Sequence, residues 1–170
     1  MFEKLESRDA AHGAWREYVR ARFLPVLGPA LLQAWVLAEQ RDAEALVEYE
    51  GLLGNLLTRA EHERSTHAAE VLLGRTRGAR YQGPLGHYRR AVEEGRAEGH
   101  ILIVWAAVSY LFQLTPSAML AEYLRLEWET ATRDLAGVPM PFGASAIDKV
   151  VLEALKGLQS EPLLVTRKEA

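Results

Sequence analysis

Between Ile101 and Leu114 the sequence reads ILIVWAAVSYLFQL, apolar on every side of a helical projection. Ile101, Val104, Trp105, Val108 and Phe112 face one way, and Leu102, Ala106 and Tyr110 fill the rest. A helix without a polar face must be enclosed by other elements, so the remaining chain has to supply a surround. Periodicity is helical nearly everywhere, and alternating apolar/polar runs bounded by turn residues are missing. The expected fold is therefore all-α: a single helical bundle of about seven helices, spanning residues 1–160, around a central apolar helix. Residues 161–170 read as a frayed tail.

The first expected helix runs from about Glu6 to Phe23, with Trp15, Tyr18, Val19 and Phe23 at helical spacing and Pro25 breaking or kinking it. A second runs from Pro29 to about Gln40. Asp42 then caps a third, Ala43 to about Leu57, whose pattern permits continuation through Arg59 to Gly74. The stretch GRTRGARYQGP from Gly74 is turn chemistry with arginines. Tyr88 to Glu94 is a short helix, and Gly99-His100 opens the central one. Thr115-Pro116 is a helix start, with Thr115 as cap and the proline at the first helical position. That helix reaches about Leu135. Pro139 and Pro141 stiffen the connector to a last helix, Ala144 to Leu158.

Composition narrows the function classes. The 170 residues contain no cysteine, which removes disulfides, thiolate metal sites and cysteine nucleophiles and suits a reducing cytoplasm. The net charge of −3 argues against a nucleic-acid coat. Five arginines and no acid lie between Val71 and Arg90 (Arg75, Arg77, Arg80, Arg89, Arg90), so that window is +5 and the remainder −8. It is read either as a solvated loop or as a docking patch for an acidic partner; an RNA-binding role for it would show as steep salt dependence. The acidic N-terminus MFEKLESRD lacks the basic start of a signal peptide. The longest uncharged stretch, Ile101 to Ala121, is too interrupted by polar residues for a lipid span.

Glu63, His67 and Glu70 share one face of the expected helix at i, i+4, i+7. They are read as a solvated face or, with acids such as Glu122 or Glu127 from another helix, as part of a ferritin-like metal site. His62 and His67 miss the His-Glu-x-x-His spacing by one residue, and no Glu-x-x-His pair occurs. No Gly-x-Ser-x-Gly elbow or phosphate-binding glycine loop exists either. His100 reads first as a structural histidine at a helix start. The four tryptophans are spread as core or interface anchors. No catalytic set, metal site or cofactor is assigned, and a binding or scaffold role outranks enzymology.

Four stretches give the chain a family resemblance: Leu24 through Asp42; Ser65 and Ala69 before Leu72-Leu73; Gly99-His100 at the head of the apolar helix; and Met140-Pro141-Phe142-Gly143. In order and spacing these resemble the UreF family of urease accessory proteins, helical chaperones of nickel delivery. The sequence departs from the family at Ala69, where a glycine is usual, and at Ala144, where a glutamine is usual. The family's Pro-x-Gly and Ser-x-Gly-Leu-Glu segment has no counterpart before Trp15. The resemblance implies a cytoplasmic, non-enzymatic adaptor that binds a UreD/UreH-type accessory protein, recruits a UreG-type GTPase and helps load nickel into apo-urease. It implies no nucleic-acid or membrane partner and admits a homodimer. Ser65, Gly99, His100, Pro141, Phe142 and Gly143 would be its partner-binding residues, with Phe142 as the anchor.

Overall fold

The structure, a computed structural model, describes residues 4–5, 8–76, 83–135 and 149–156. Its elements are α1 (Arg8–Tyr18), a π-helical segment (Val19–Leu27), α2 (Gly28–Glu39), α3 (Ala43–Leu53), α4 (Arg59–Arg75), α5 (Pro84–Glu93), α6 (Ile101–Leu111) and α7 (Pro116–Ala131). A further helix, α8, covers 149–156. The fold is all-α, and no strand occurs among the described residues. Pro141, Phe142, Gly143, Arg77, Arg80 and the expected start of the last helix lie outside the described residues.

The central element is the one its composition demands. α6 packs against α2, α4, α5 and α7, and Ile101, Leu102, Ile103, Val104, Ala106 and Ala107 are all buried. One hydrophobic core joins it to residues of the surrounding helices, including Val151 and Ala154 of α8. Trp15 and Trp128 meet edge to face at 5.3 Å in that core, whereas Trp35 and Trp105 are only partly buried against it.

Pro25 neither ends nor sharply interrupts the first helix. The chain widens into π-helix from Val19 to Leu27, with Pro25 inside, and passes directly into α2. Wider turns accommodate the missing proline donor without breaking the helix. The joined run Ala10–Glu39 is long and apolar enough to cross a membrane by length and composition, a test that core helices also pass. Half of its most apolar window is buried inside the bundle.

The third helix is shorter than its leucines suggest. It ends at Leu53, and α4 starts afresh at Arg59. The restart has a local cause: Thr58 and Glu61 form a reciprocal capping box, Glu61 N donating to Thr58 Oγ1 at 3.3 Å and Thr58 N to Glu61 Oε2 at 2.9 Å. Asp42 caps α3 through Ala45 N at 3.0 Å and Thr115 caps α7 through Ala118 N at 3.3 Å, both as their residue types require. α5 begins at Pro84 rather than Tyr88, because proline is suited to a first helical turn.

Gly28, at the start of α2, sits where a Cβ would lie 3.1 Å from Phe23 O and 3.4 Å from Ala154 Cβ. Gly51, inside α3, has nothing within 4 Å of that position. Gly28→Val should therefore lower stability by about 1–3 kcal/mol through overpacking against α8. Gly51→Ala should raise it by about 0.5–1 kcal/mol. Urea unfolding midpoints of the two variants check both signs.

Candidate functional site

An apolar helix at the centre of a bundle carries its first amide donors into a region without water, and buried donors need partners. Here three neighbouring helices supply them. Glu50, from the buried face of α3, accepts from Gly99 N at 2.9 Å and Glu98 N at 3.1 Å. It also accepts from Tyr88 of α5, whose hydroxyl lies 2.7 Å away. The same tyrosine oxygen accepts from His100 N at 2.9 Å. Ser65 of α4 takes the next donor, Ile101 N, at 3.1 Å. Gly99, at φ +88°, provides the left-handed step by which consecutive amides turn toward this carboxylate.

The expected trio Ser65, Gly99 and His100 is thus brought together, in the interior. Ser65 and His100 are each 1% exposed, and Ser65 Oγ lies 2.9 Å from His100 Nδ1. Ser65 and Ala69 occupy one buried face of α4, one turn apart, and their small side chains allow the close contact. His100 Nε2 has no hydrogen-bond partner among the described residues. The His62 ring stands 5.9 Å away, centroid to centroid, and its own Nε2 is 2.6 Å from Glu98 Oε2.

The electrostatics follow from burial. Desolvation, then the neighbouring His62, pushes the His100 imidazole down to about 3, so the ring is neutral at physiological pH. Burial pushes the Glu50 carboxyl up, and the donors from Tyr88, Glu98 and Gly99 hold the rise back. Burial pushes Glu61 up as well, but the Arg22 guanidinium and the Thr58 donors together outweigh it and the carboxyl ends below its ordinary value. The Arg22 fork is bidentate, with Nε to Oε1 at 2.9 Å and Nη2 to Oε2 at 2.6 Å. Glu61, Ser65 and His100 border one small void with Tyr123, so a polar seam runs through the core between α3, α4, α5 and α7.

Above Gly99 lies a groove of about 420 Å³ between α4 and α5, bordered by Thr66, His67, Glu70, Arg89, Glu93 and Glu98. His67 and Glu70 thus face one groove, but Glu63 does not join them; it pairs with Arg59 at 2.9 Å on the exposed surface. Among the described residues no group of three His, Asp or Glu side chains could hold a metal ion. Glu93 of α5 borders the same groove, but among the described residues these side chains form no three-ligand group of the kind the ferritin-like alternative needs, and Glu122 pairs instead with Arg125 at 2.6 Å. Of the arginine window, Arg89 is directed inward, donating to Leu73 O at 2.9 Å, and Arg90 is exposed.

Glu50 and Tyr88 were not singled out from the sequence. The signal was present: Leu46, Glu50 and Leu53 fall at i, i+4, i+7, so this acid sits on the apolar face of its helix. Replacing Glu50 by alanine strands two buried donors and a half-buried one and should cost about 3 kcal/mol or more in urea unfolding. For His100 the prediction concerns pH. The folded chain binds its proton more weakly than the unfolded chain, so its contribution is complete above about 6.5 and is lost as pH falls toward about 3. Wild type should accordingly lose stability more steeply than His100→Asn in that window, by up to ~1.4 kcal/mol per pH unit.

No curated protein and no solved structure matches the chain. The UreF family model does, over residues 5–132, a span that contains the whole polar network around Gly99 and ends before Pro141. On that match the chain belongs to the UreF family of urease accessory proteins.

Proposed function

We propose that this protein is a cytoplasmic adaptor that assists nickel delivery and urease maturation through protein contacts rather than by catalysis. The observation that carries the reading is the family match over residues 5–132. The site agrees in kind. Its buried polar groups pair with backbone amides and with one another, as a scaffold requires; the Ser65–His100 hydroxyl–imidazole pair is enclosed in the core, each residue 1% exposed, and the Ser65 oxygen also accepts from Ile101 N.

In this reading Ser65, Gly99 and His100 act from beneath the surface. They fix the start of α6, which sets Glu98 and the floor of the α4–α5 groove. Pro141, Phe142 and Gly143 would form a rigid turn with Phe142 as the aromatic anchor, since buried aromatics are prominent among interface hot spots. The partners would be a UreD/UreH-type accessory protein, a UreG-type GTPase and apo-urease, with nickel as cargo. The arginines from Arg75 to Arg90 would steer an acidic partner's approach more than hold it.

The test is affinity purification of the tagged full chain from its own cells while urease is expressed, with mass spectrometry of the eluate. Urease subunits or the accessory GTPase are expected, and Phe142→Ala should reduce their recovery by about tenfold. An eluate without either, from cells with measurable urease, would overturn the reading.

A further inference from the structure

Among the described residues two that are not glycine hold a left-handed backbone, Arg41 and Gln113, each at φ 57°. Both stand just past a helix end. After α2, Asp42 N donates to Leu37 O at 3.2 Å and Arg41 N to Ala38 O at 3.1 Å. After α6, Leu114 N donates to Ser109 O and Gln113 N to Tyr110 O, each at 2.9 Å. This pair of bonds is the Schellman termination, and its left-handed position ordinarily belongs to glycine. α5 obeys the rule: Gly95, at φ 72°, ends it with the same two bonds, Arg96 N to Ala91 O and Gly95 N to Val92 O. At the other two ends the chain tolerates strain that glycine would remove, and in exchange places a guanidinium and an amide.

Those two residues border the same groove, about 530 Å³ in volume, at the end of the bundle where α2 and α6 stop and α5 begins. Its walls are largely apolar, with Leu85, Leu111 and Leu114 among them, and Phe112, two-thirds exposed at 66%, lies in the adjoining turn. Its polar side chains are Arg41, Tyr110, Gln113 and Thr115. Arg41 Nε lies 3.5 Å from the Tyr110 hydroxyl. The Trp35 ring forms part of the wall, and its indole N–H is buried without an acceptor among the described residues. Among the described residues no carboxylate lines the groove, and Arg41 is the one charged side chain that does. Strained non-glycine turns that persist at a cavity point to function, and the size lies within the range of ligand clefts.

We propose that this groove docks an acidic, hydrophobic peptide segment of a partner protein, with a carboxylate on Arg41 and an aliphatic or aromatic side chain against the apolar wall. Charge complementarity selects this occupant: a guanidinium that meets no carboxylate among the described residues, beside apolar surface, attracts a carboxylate and disfavours a basic segment. The site is distinct from the α4–α5 groove over Gly99, and the inference stands whether or not urease is the client.

The experiment is selection of a random dodecapeptide display library on the purified full chain. Fluorescence anisotropy of the winning peptides then follows, against wild type, Arg41→Gly and Gln113→Gly. Glycine relieves the left-handed turn, so both variants should melt at a higher temperature than wild type. The proposal expects peptides enriched in Asp or Glu beside Leu or Phe, with affinity for Arg41→Gly weakened at least about tenfold despite its greater stability. A merely structural arginine would give the stability gain without the binding loss. Winning peptides without acidic enrichment, binding insensitive to Arg41→Gly, or no binders at all would overturn it. So would a concentration-dependent dimer that Arg41→Gly dissolves, since the occupant would then be a second copy.

Discussion

The start of α6 is the constraint on which the rest of the bundle depends. A helix of Ile, Leu, Val and Ala can be the centre of the core, but only if the amides that precede its first turn are satisfied without water. Glu50, Tyr88 and Ser65 meet that requirement from three helices. Their positions tie α3, α5 and α4 to one point, so the polar cluster orients the helices that the hydrophobic core merely gathers. A shift of any one helix would leave a buried donor unpaired, and hydrophobic contact carries no comparable penalty for sliding.

Carboxylate burial at this point is tolerable because its charge is shared. Glu50 faces the positive end of the α6 dipole and accepts from two amides and a phenol. His100, which could have brought a second charge, is held neutral by the same burial. A carboxyl with three donors and a neutral imidazole coexist at this end of α6, whereas an unpaired ion there would carry a large desolvation cost. Glu61 meets the same problem nearby in a different way, through the Arg22 fork and its own capping box.

Much of this was legible in the sequence. The all-round apolar pattern of Ile101 to Leu111 placed the central helix, and Asp42 and Thr115-Pro116 placed two caps, because these signals are local. Ser65 and His100 were named as site residues, but not as partners of one another. Their contact joins positions 35 apart in sequence, and helical periodicity gives a face without saying what meets it. Glu50 escaped notice for a related reason: an acid among leucines reads as surface until a donor set from another helix claims it. The break between Leu53 and Arg59 was written in Thr58 and Glu61, but the surrounding leucines continue the same pattern through it. Proline at 25 misled in the opposite direction, since a π-helical widening preserves the helix that a missing donor should have ended.

The two ends of α6 make different use of the chain's polar chemistry. At its N-terminus Glu50, Ser65, Tyr88 and His100 are turned inward, and most of their donors and acceptors pair among themselves and with the backbone. At its C-terminus the helix closes on backbone bonds alone, so Tyr110, Gln113 and the neighbouring Arg41 are not needed to complete it. Polar groups that fold stability does not require, held on turns that cost stability, remain available to something outside the chain. A scaffold must be rigid where its own helices meet and chemically unsaturated where another molecule does. In this bundle one central helix meets both demands, with some 15 Å, at about 1.5 Å per residue, separating its saturated end from its unsaturated one.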